Sequence, residues 1–438
     1  MGEFMEELLK QARKVAEEAE VFAVSRSETD AVFETNRLKQ VVTRETSGRA
    51  LRLIKGGRIG FSASNKVDGT KELVAMALEM APFGAEAKFQ FPSLERYSQV
   101  EVYDPKVEKV TEEQMVELGQ SLIDKVRAHT PELVCQGGVS KNTISVEITN
   151  SRGGRATYKK SVFSLSVEGV LIRGTDMLFV GDSESSCRPI SDHKTVSHNT
   201  LEQLERAKET APSLEGKLPV IFTPLGVAST LLMPIAMAVN GKTVLQGASP
   251  LGHRKDEQVF DKRLSIRDDP MIEYRPGSRF CDDEGVPSQR TPLIAKGMVA
   301  NFLYDLQTAA LAGTRSTGSG SRSLASLPSP SLSAIVIEEG DTSFEDMLAD
   351  IKDGLVVEEL MGASMGNVLG GDFSGNVLLG YRVNNGKLVG RVKDTMVTGN
   401  IYEALKEVKA VGNKARWVGG VVLTPHICCP SLAVSTKK

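Results

Sequence analysis

The sequence predicts a two-part α+β protein with a duplicated N-terminal half and a mainly β C-terminal half. At 438 residues the chain exceeds what one small core needs. The order helix, several strands, helix occurs twice before residue 210, and the chain after residue 218 is rich in glycine and short apolar runs. We therefore expect a duplicated domain over 1–210, with repeats at about 1–85 and 108–210, and a mainly β domain over 218–438.

The first repeat opens with Phe4, Leu8 and Ala12 at helical spacing, which predicts an amphipathic helix. Short strands are expected around VFAVSRS, AVFETN and RALRLIK. The pair Gly56-Gly57 predicts a hairpin turn into RIGFSAS. A helix from about Lys71 to Met80 completes this unit.

The second repeat opens with Thr111 and Gln114, which are spaced as a capping box at the start of a helix. The segments TISVEIT and SVFSLSVEG alternate apolar and polar residues, as half-buried strands do. Thr200 and Gln203 have the capping spacing again, so a last helix is expected to begin there.

The second half follows a linker at APSLEGK, 211–217. The segment 315–333 contains too much serine, glycine and proline to form the interior of a helix or strand. Ser343 is expected to open a short helix, and Asn400 to open a helix over IYEALKEVK that Gly412 ends. The remainder predicts strands and turns.

Charge and composition exclude several classes of protein. The 53 basic and 56 acidic side chains give a net charge of −3, which provides no electrostatic basis for binding nucleic acid. No apolar run is long enough to cross a bilayer, so no membrane partner is expected. Five cysteines in a chain of this size argue against a disulfide scaffold, and we expect a cytoplasmic location.

Two local clusters could carry chemistry of their own. Asp192, His193 and His198 share one segment and form a conceivable metal site, although loop histidines are more often solvated. His426 and Cys428 lie two residues apart, so a strand places them on one face, as a cysteine–histidine pair requires. For that pair, small buried side chains in a core strand are the favoured interpretation.

The stretch RFCDDEGVPSQRT contains three consecutive acids, Asp282, Asp283 and Glu284. A calcium loop places its oxygen ligands at alternating positions, and consecutive side chains cannot all point inward. Gly285 and the following proline are turn residues, and Gln289 adds an uncharged hydrogen-bonding group. The local chemistry predicts an ordered turn, one able to hold a peptide backbone.

Three long blocks resemble the PmbA/TldD family, whose members were once called modulators of DNA gyrase. The blocks are NRLKQVVTRETSGRALRLIKGGRIGFSASN, FCDDEGVPSQRTPLIAKGMVANFLYDLQTAALAGTRSTGSGSR, and DGLVVEELMGASMGNVLGGDFSGNVLLGYRVNNGKLVG with its GDFS core at 371–374. They occur in the expected order across nearly the whole chain, which makes the resemblance specific.

Members of this family that carry the chemistry are similar to zinc peptidases. They have a His-Glu pair, a second histidine five residues after the first, and a cysteine near the C-terminus. Here Met233 and Ala238 stand where the imidazoles would be, and Pro234 stands where the glutamate would be. The segment RWVGGVV, near which the cysteine is expected, has none. The resemblance is therefore to the PmbA (TldE) branch, which lacks the ligands.

That resemblance implies a subunit with no catalytic residue and no metal of its own, inactive alone, with zinc in a TldD-like metallopeptidase partner. The pair would enclose a cavity for unfolded peptides, and the isolated chain could form a homodimer. Eight residues are expected to line the cavity: Asp282, Asp283, Glu284, Gly285, Gln289, Asp372, Phe373 and Ser374. The alternatives are an independent hydrolase that uses a cysteine–histidine pair or another metal site, and a non-enzymatic modulator that binds gyrase- or antitoxin-related proteins.

Overall fold

The computed structural model describes residues 2–66 and 69–437. It is an α+β protein with 41% of residues in strands and 22% in helices, and its C-terminal half is rich in strands. The predicted fold class is therefore confirmed. Among the described residues, no helix is both long and apolar enough to span a membrane.

The N-terminal half contains two units with the same order of elements. The first unit comprises α1 Gly2–Ala12, β1 Glu18–Glu34, β2 Arg37–Lys55, β3 Arg58–Ser64 and α2 Thr70–Met80, followed by a 3₁₀ turn, Ala81–Phe83. The second unit comprises α3 Lys106–Lys109, α4 Glu112–His129, β4 Val134–Asn150, β5 Arg155–Arg173, β6 Asp176–Ser186 and α5 Lys194–Arg206.

The six strands of these units form one antiparallel sheet in the order β3-β2-β1-β4-β5-β6. β1 and β4 are each 17 residues long, and β2 and β5 are each 19. β1 starts at residue 18 and β4 at residue 134, an offset of 116, and the pair Ser27–Thr143 at the centre of the sheet has the same offset. An approximate two-fold axis therefore passes through that pair.

Several predicted boundaries in this half need correction. The segments VFAVSRS and AVFETN are one strand, because β1 pairs with both β2 and β4 through its polar middle. The last helix begins after His193 rather than at Thr200, whose hydroxyl bonds the Val196 carbonyl inside α5. The capping box of Thr111 and Gln114 and the Gly56-Gly57 hairpin are confirmed.

The C-terminal half contains short helices and many strands. Its helices are α6 Pro224–Gly226, a π-helix Val227–Leu231, α7 Leu232–Ala238, α8 Gly241–Leu245, α9 Leu306–Leu311, α10 Phe344–Ala349 and α11 Ile401–Ala404. Its strands are β7 Gly216–Phe222, β8 Ile266–Asp268, β9 Thr291–Ala295, β10 Met298–Val299, β11 Gly320–Ser321, β12 Ser329–Pro330, β13 Ile335–Ile337, β14 Asp353–Met361, β15 Asp372–Asn384, β16 Lys387–Arg391, β17 Thr395–Asn400, β18 Ala410–Val418 and β19 Val422–Thr436.

Five of these strands close a ring of pairings. β7 pairs with β14, β14 with β15, β15 with β17, β17 with β19, and β19 returns to β7. The core inside includes Phe222, Val357 and Val397. Asn400 caps α11 as predicted, but that helix ends at Ala404 instead of continuing to Gly412, because the chain then re-enters the sheet as β18.

The two halves meet on one face of the six-stranded sheet and also through α5, whose Val196 and Leu204 share a core cluster with Ile221, Val356 and Tyr381 of the C-terminal half. The helices cover the opposite face, where Ala19, Val21 and Leu53 pack beneath α1 and α2. The face of the sheet that the helices leave uncovered, called the free face below, packs through Phe22 and Val146 against Cys281 and its neighbours in the C-terminal half. The segment that contains the three consecutive acids therefore lies at the junction between the halves.

Four charged side chains form a buried charge network at this junction: Glu20, Arg52, Glu284 and Arg322. Arg52 lies 3.1 Å from Glu20 and 2.7 Å from Glu284, and Arg322 lies 2.8 Å from Glu20. The Arg52 guanidinium also lies over the rings of Phe89 and Phe91. All four side chains are almost fully buried, so each charge depends on its partners.

The pKa values of this network follow from burial and pairing. Burial alone would raise the pKa of Glu20, but the adjacent Arg322 and Arg52 hold it below its ordinary value. Burial likewise opposes the charge of Arg52, and Glu20 and Glu284 together raise its pKa. Two strands of the N-terminal sheet and two loops of the C-terminal half are thus joined by opposite charges.

We expect Arg52→Met to destabilise the chain by about 3–5 kcal/mol, because it removes the cation that Glu284 contacts and leaves the buried Glu20 with Arg322 alone. The control is Arg44→Met on the same strand, where an exposed ion pair with Asp30 is lost. That change should cost less than about 1 kcal/mol. Urea unfolding of both variants measures the difference, and equal free energies of unfolding would contradict the proposed role of the network.

Candidate functional site

The predicted turn at the three acids is present, and it holds main chain from its own polypeptide. Asp282 accepts hydrogen bonds from the backbone amides of Glu284 and Val286 through Oδ1, and from that of Gly320 through Oδ2. Asp283 accepts from the amide of Arg322, at 2.9 Å. The turn therefore fixes the position of the 315–333 loop.

Glu284 also belongs to this turn, and its two carboxyl oxygens contact two different parts of the chain. Its Oε2 accepts from the amide of Leu306 at the start of α9, while its Oε1 contacts Arg52. Asp282 and Glu284 are fully buried, and burial raises the pKa of both carboxyl groups. Their oxygens are occupied by the fold, so a peptide could bind them only by displacing these bonds.

The other candidate residues of this segment lie around the turn. Gly285 has φ of 75°, a left-handed conformation that glycine adopts without strain, and its carbonyl accepts from the Tyr97 hydroxyl. Gln289 is exposed and its amide donates to the Ser316 carbonyl. The cavity-lining role of these residues stays a prediction.

The GDFS block begins β15 and alternates between surface and core. Asp372 and Ser374 are exposed, whereas Phe373 is buried against Phe222 with the ring centroids 6.5 Å apart. Asp372 accepts from the side-chain amide of Asn400, at 2.8 Å. Two of the three predicted side chains therefore face solvent, and the third anchors the strand.

The structure brings the segment before the GDFS block close to α7. Tyr402 makes this connection, because its hydroxyl lies 3.2 Å from the Pro234 carbonyl and 3.1 Å from the Leu369 carbonyl. Leu369 lies two residues before the GDFS block in the sequence. α7 is the helix on which the resemblance places the zinc ligands, so Tyr402 connects this helix to the segment before the block.

The side chains of α7 do not fit a zinc ion. Met233 is exposed and offers a neutral thioether, Pro234 has no donor atom in its side chain, and Ala238 is a buried methyl group. Zinc in proteins takes imidazole, thiolate or carboxylate ligands. Within residues 2–66 and 69–437, no three histidine, cysteine, aspartate or glutamate side chains form a group able to hold a metal.

Exposed methionines lie on α7, at the end of β14 and just after it, and on β17, and we call these five the methionine face: Met233, Met237, Met361, Met365 and Met396. Met365 is 89% exposed. Met361 and Met396 both lie opposite Asn376, two residues beyond Ser374 on β15. The Ser374 hydroxyl contacts the Met396 sulfur at 3.4 Å. The GDFS block thus adjoins a surface of flexible apolar side chains.

The two alternative clusters, His193 with His198 and His426 with Cys428, make contacts that serve the fold. His193 precedes α5 and bonds Ser121 and Ser197, while His198 lies inside the helix. Burial raises the pKa of Cys428 to about 11, and burial lowers the pKa of His426 to about 4. His426 stacks on Phe344 instead. A thiol that stays protonated at neutral pH is a poor nucleophile, so these surroundings disfavour cysteine chemistry.

The sequence analysis missed Arg52, Arg322 and Tyr402, which connect the site to the fold. One sequence signal could have indicated Arg52, because it interrupts the apolar residues of ALRLIK at a strand position whose neighbours are buried. Arg322 lies in a polar loop and Tyr402 in a short helix. Nothing in their local pattern distinguishes them from surface residues.

Comparison with known proteins matches an N-terminal and a C-terminal segment of the chain to domain models of one family. Residues 215–436 match the model for the PmbA/TldA metallopeptidase C-terminal domain, and residues 19–81 match PmbA/TldA metallopeptidase domain 1. An uncharacterized protein of Methanocaldococcus jannaschii is 26% identical over 407 residues, which cover 92% of this chain and 93% of that protein. A metalloprotease of Methanothermobacter thermautotrophicus is 23% identical over 436 residues, 94% of this chain and 92% of the relative.

Solved structures show the same fold along the full length. TldE from Thermococcus kodakarensis has a TM-score of 0.87 at 24% identity, covering 99% of this chain and 100% of its own. A proposed modulator of a DNA gyrase from Thermotoga maritima has a TM-score of 0.88 at 22% identity, with the same coverage. Since the C-terminal model alone spans half of the residues, the chain belongs to the PmbA/TldD metallopeptidase family.

Proposed function

We propose that this protein is the metal-free, TldE-like subunit of a TldD–TldE-type peptidase that cleaves unfolded peptides. The single observation that carries this proposal is α7, where methionine, proline and alanine replace the expected ligands. The TldD-like partner supplies the zinc and the catalytic residues. This chain supplies a wall of the cavity that receives the peptide.

The methionine face supports a role in holding peptides of varied sequence. Methionine is unbranched and polarizable, so its side chain adapts to partners of different shape. Exposed apolar side chains that cluster beside polar groups mark interaction surfaces in soluble proteins. Asp372 and Ser374 add hydrogen-bonding groups at the edge of this face, and the buried Phe373 holds their strand in place.

The acidic turn has a supporting part in this proposal. Asp282, Asp283 and Glu284 hold the loops that follow them, so they shape the cavity wall while Gly285 and Gln289 lie around the turn. The five cysteines are free thiols, in keeping with the cytoplasmic location we expect. A second copy of this chain could occupy the partner position when the TldD-like subunit is missing.

We expect the purified chain to contain no stoichiometric zinc and to cleave no peptide by itself, since α7 offers no zinc ligand. Adding a TldD-like subunit with the His-Glu motif should produce cleavage of an unfolded peptide. Elemental analysis and a peptide cleavage assay measure both points. The matched control is the same TldD-like subunit assayed without this chain. Stoichiometric zinc in this chain would contradict the proposal.

Within the reconstituted pair, the double variant Met233→Ser/Met365→Ser should raise KM for an unfolded peptide several-fold, because apolar contact area is lost. The unfolding midpoint should stay the same, since both side chains are exposed. The matched control is Met76→Ser/Met177→Ser, which removes two exposed methionines from the N-terminal half. An equal change of KM in both variants would show that the methionine face has no special role.

A further inference from the structure

A second candidate site lies at the junction between the two halves, away from the methionine face. It is a cavity of about 280 Å³ between the free face of the six-stranded sheet and the loops that follow residue 276. We call it the junction cavity. Four cationic side chains line it, and they are Arg26, Lys160, Arg279 and Arg322. Among the described residues that line it, Asp283 is the one carboxylate.

Two of these cations are buried with hydrogen-bonding capacity left over. The side chains of Arg279 and Arg322 are 9% and 1% exposed. Within the part of the chain that the structure describes, Nε of Arg279 and both Nε and Nη2 of Arg322 have no hydrogen-bond acceptor. The hydroxyl of Ser333 also lines the cavity, and it too has no hydrogen-bond partner among the described residues. Buried donors without acceptors are costly, and a bound anion would satisfy them.

Carboxylates near the cavity pair with some of its cations. Burial opposes the charge of Arg279, but Asp283, Asp282 and Asp268 together raise its pKa, although the last two do not line the cavity. Asp283 lies 3.9 Å from Arg279 and already accepts the amide of Arg322. Glu20 pairs with Arg322 but is shared with Arg52. Lys160 donates to the Pro276 carbonyl at 2.9 Å, and burial lowers its pKa to about 8, which leaves it protonated at neutral pH. Arg26 is exposed and stands at the mouth of the cavity.

The remaining wall is apolar and includes Phe22, Val24, Ile144 and Leu332. A wholly hydrated anion such as phosphate would leave this wall without a partner. A cavity of this size also lies at or below the lower end for drug-sized ligands, so a nucleotide does not fit. The ligand that fits this cavity is therefore one anionic group joined to a small apolar group.

We propose that the junction cavity binds a small apolar carboxylate, of which the C-terminal residue of a peptide is the natural example. The carboxylate would accept from Arg279, Arg322 and Lys160, and the side chain would pack on the apolar wall. The site lies wholly within this chain and needs no partner subunit. Its test is therefore independent of the proposed pairing with a TldD-like protein.

Calorimetric titration of the full chain with N-acetyl-L-leucine tests this inference. N-acetyl-L-leucinamide, which has the same shape without the charge, should bind roughly tenfold more weakly or worse, because it forms no charge-assisted hydrogen bonds. A tripeptide that ends in a free leucine carboxylate should bind at least as tightly as the acid. Exclusion of the tripeptide would overturn the peptide assignment and leave free acids as the ligand.

Lys160→Met should weaken binding of the acid by roughly tenfold, while the adjacent Lys159→Met should leave it unchanged. The two lysines are consecutive on β5, so they point to opposite faces of the sheet, and Lys159 pairs with Glu108 there. If the Lys160→Met variant does not fold, Arg26→Gln at the mouth of the cavity is tested instead, and weaker binding of the acid is again expected. Equal affinity for the acid and the amide, tighter binding of inorganic phosphate, or no binding of the acid would overturn the proposal.

Discussion

The buried ion pairs of Arg52 with Glu20 and Glu284 fix how the loops of the C-terminal half dock on the free face of the N-terminal sheet. Glu20 and Arg52 are cross-strand neighbours in the N-terminal sheet, whereas Glu284 and Arg322 arrive from distant loops. Charges removed from water must find their partners, so this arrangement accepts only one docking of the loops on the sheet. The acidic turn, the 315–333 loop and the start of α9 all take their positions from it. The junction cavity lies where this network meets the remaining cations.

Local patterns were sufficient to predict the fold class and many turns and caps. The glycine pair at 56–57, the capping box of α4 and the N-caps of α10 and α11 depend on neighbouring residues alone, and each is present. The uninterrupted length of β1 could not be predicted in this way, because its polar middle is held by pairing with β2 and β4. The true start of α5 was missed for a related reason, since Thr200 and Gln203 use their side chains inside the helix and against the sheet.

In the candidate site too, some features depend on neighbouring residues and others depend on residues far apart in the sequence. The sequence indicated a turn at Asp282 that could hold a peptide backbone, and the turn does hold backbone amides, although they belong to this chain. The connection of α7 to the segment before the GDFS block depends on Tyr402, which lies far from both in sequence. The methionines come from three segments that are separated in sequence, and only the folded chain shows that all five are exposed.

Pro234 has a consequence for how this chain could change over evolutionary time. Proline contributes no amide hydrogen to its helix, and the preceding turn is already widened into a π-helix over Val227–Leu231. Its carbonyl lies within hydrogen-bonding distance of the Tyr402 hydroxyl, so the surrounding packing is adjusted to it. Placing a His-Glu pair and a second histidine on α7 would require rebuilding this helical turn along with three side chains. Single substitutions alone would therefore not create the His-Glu arrangement in this helix.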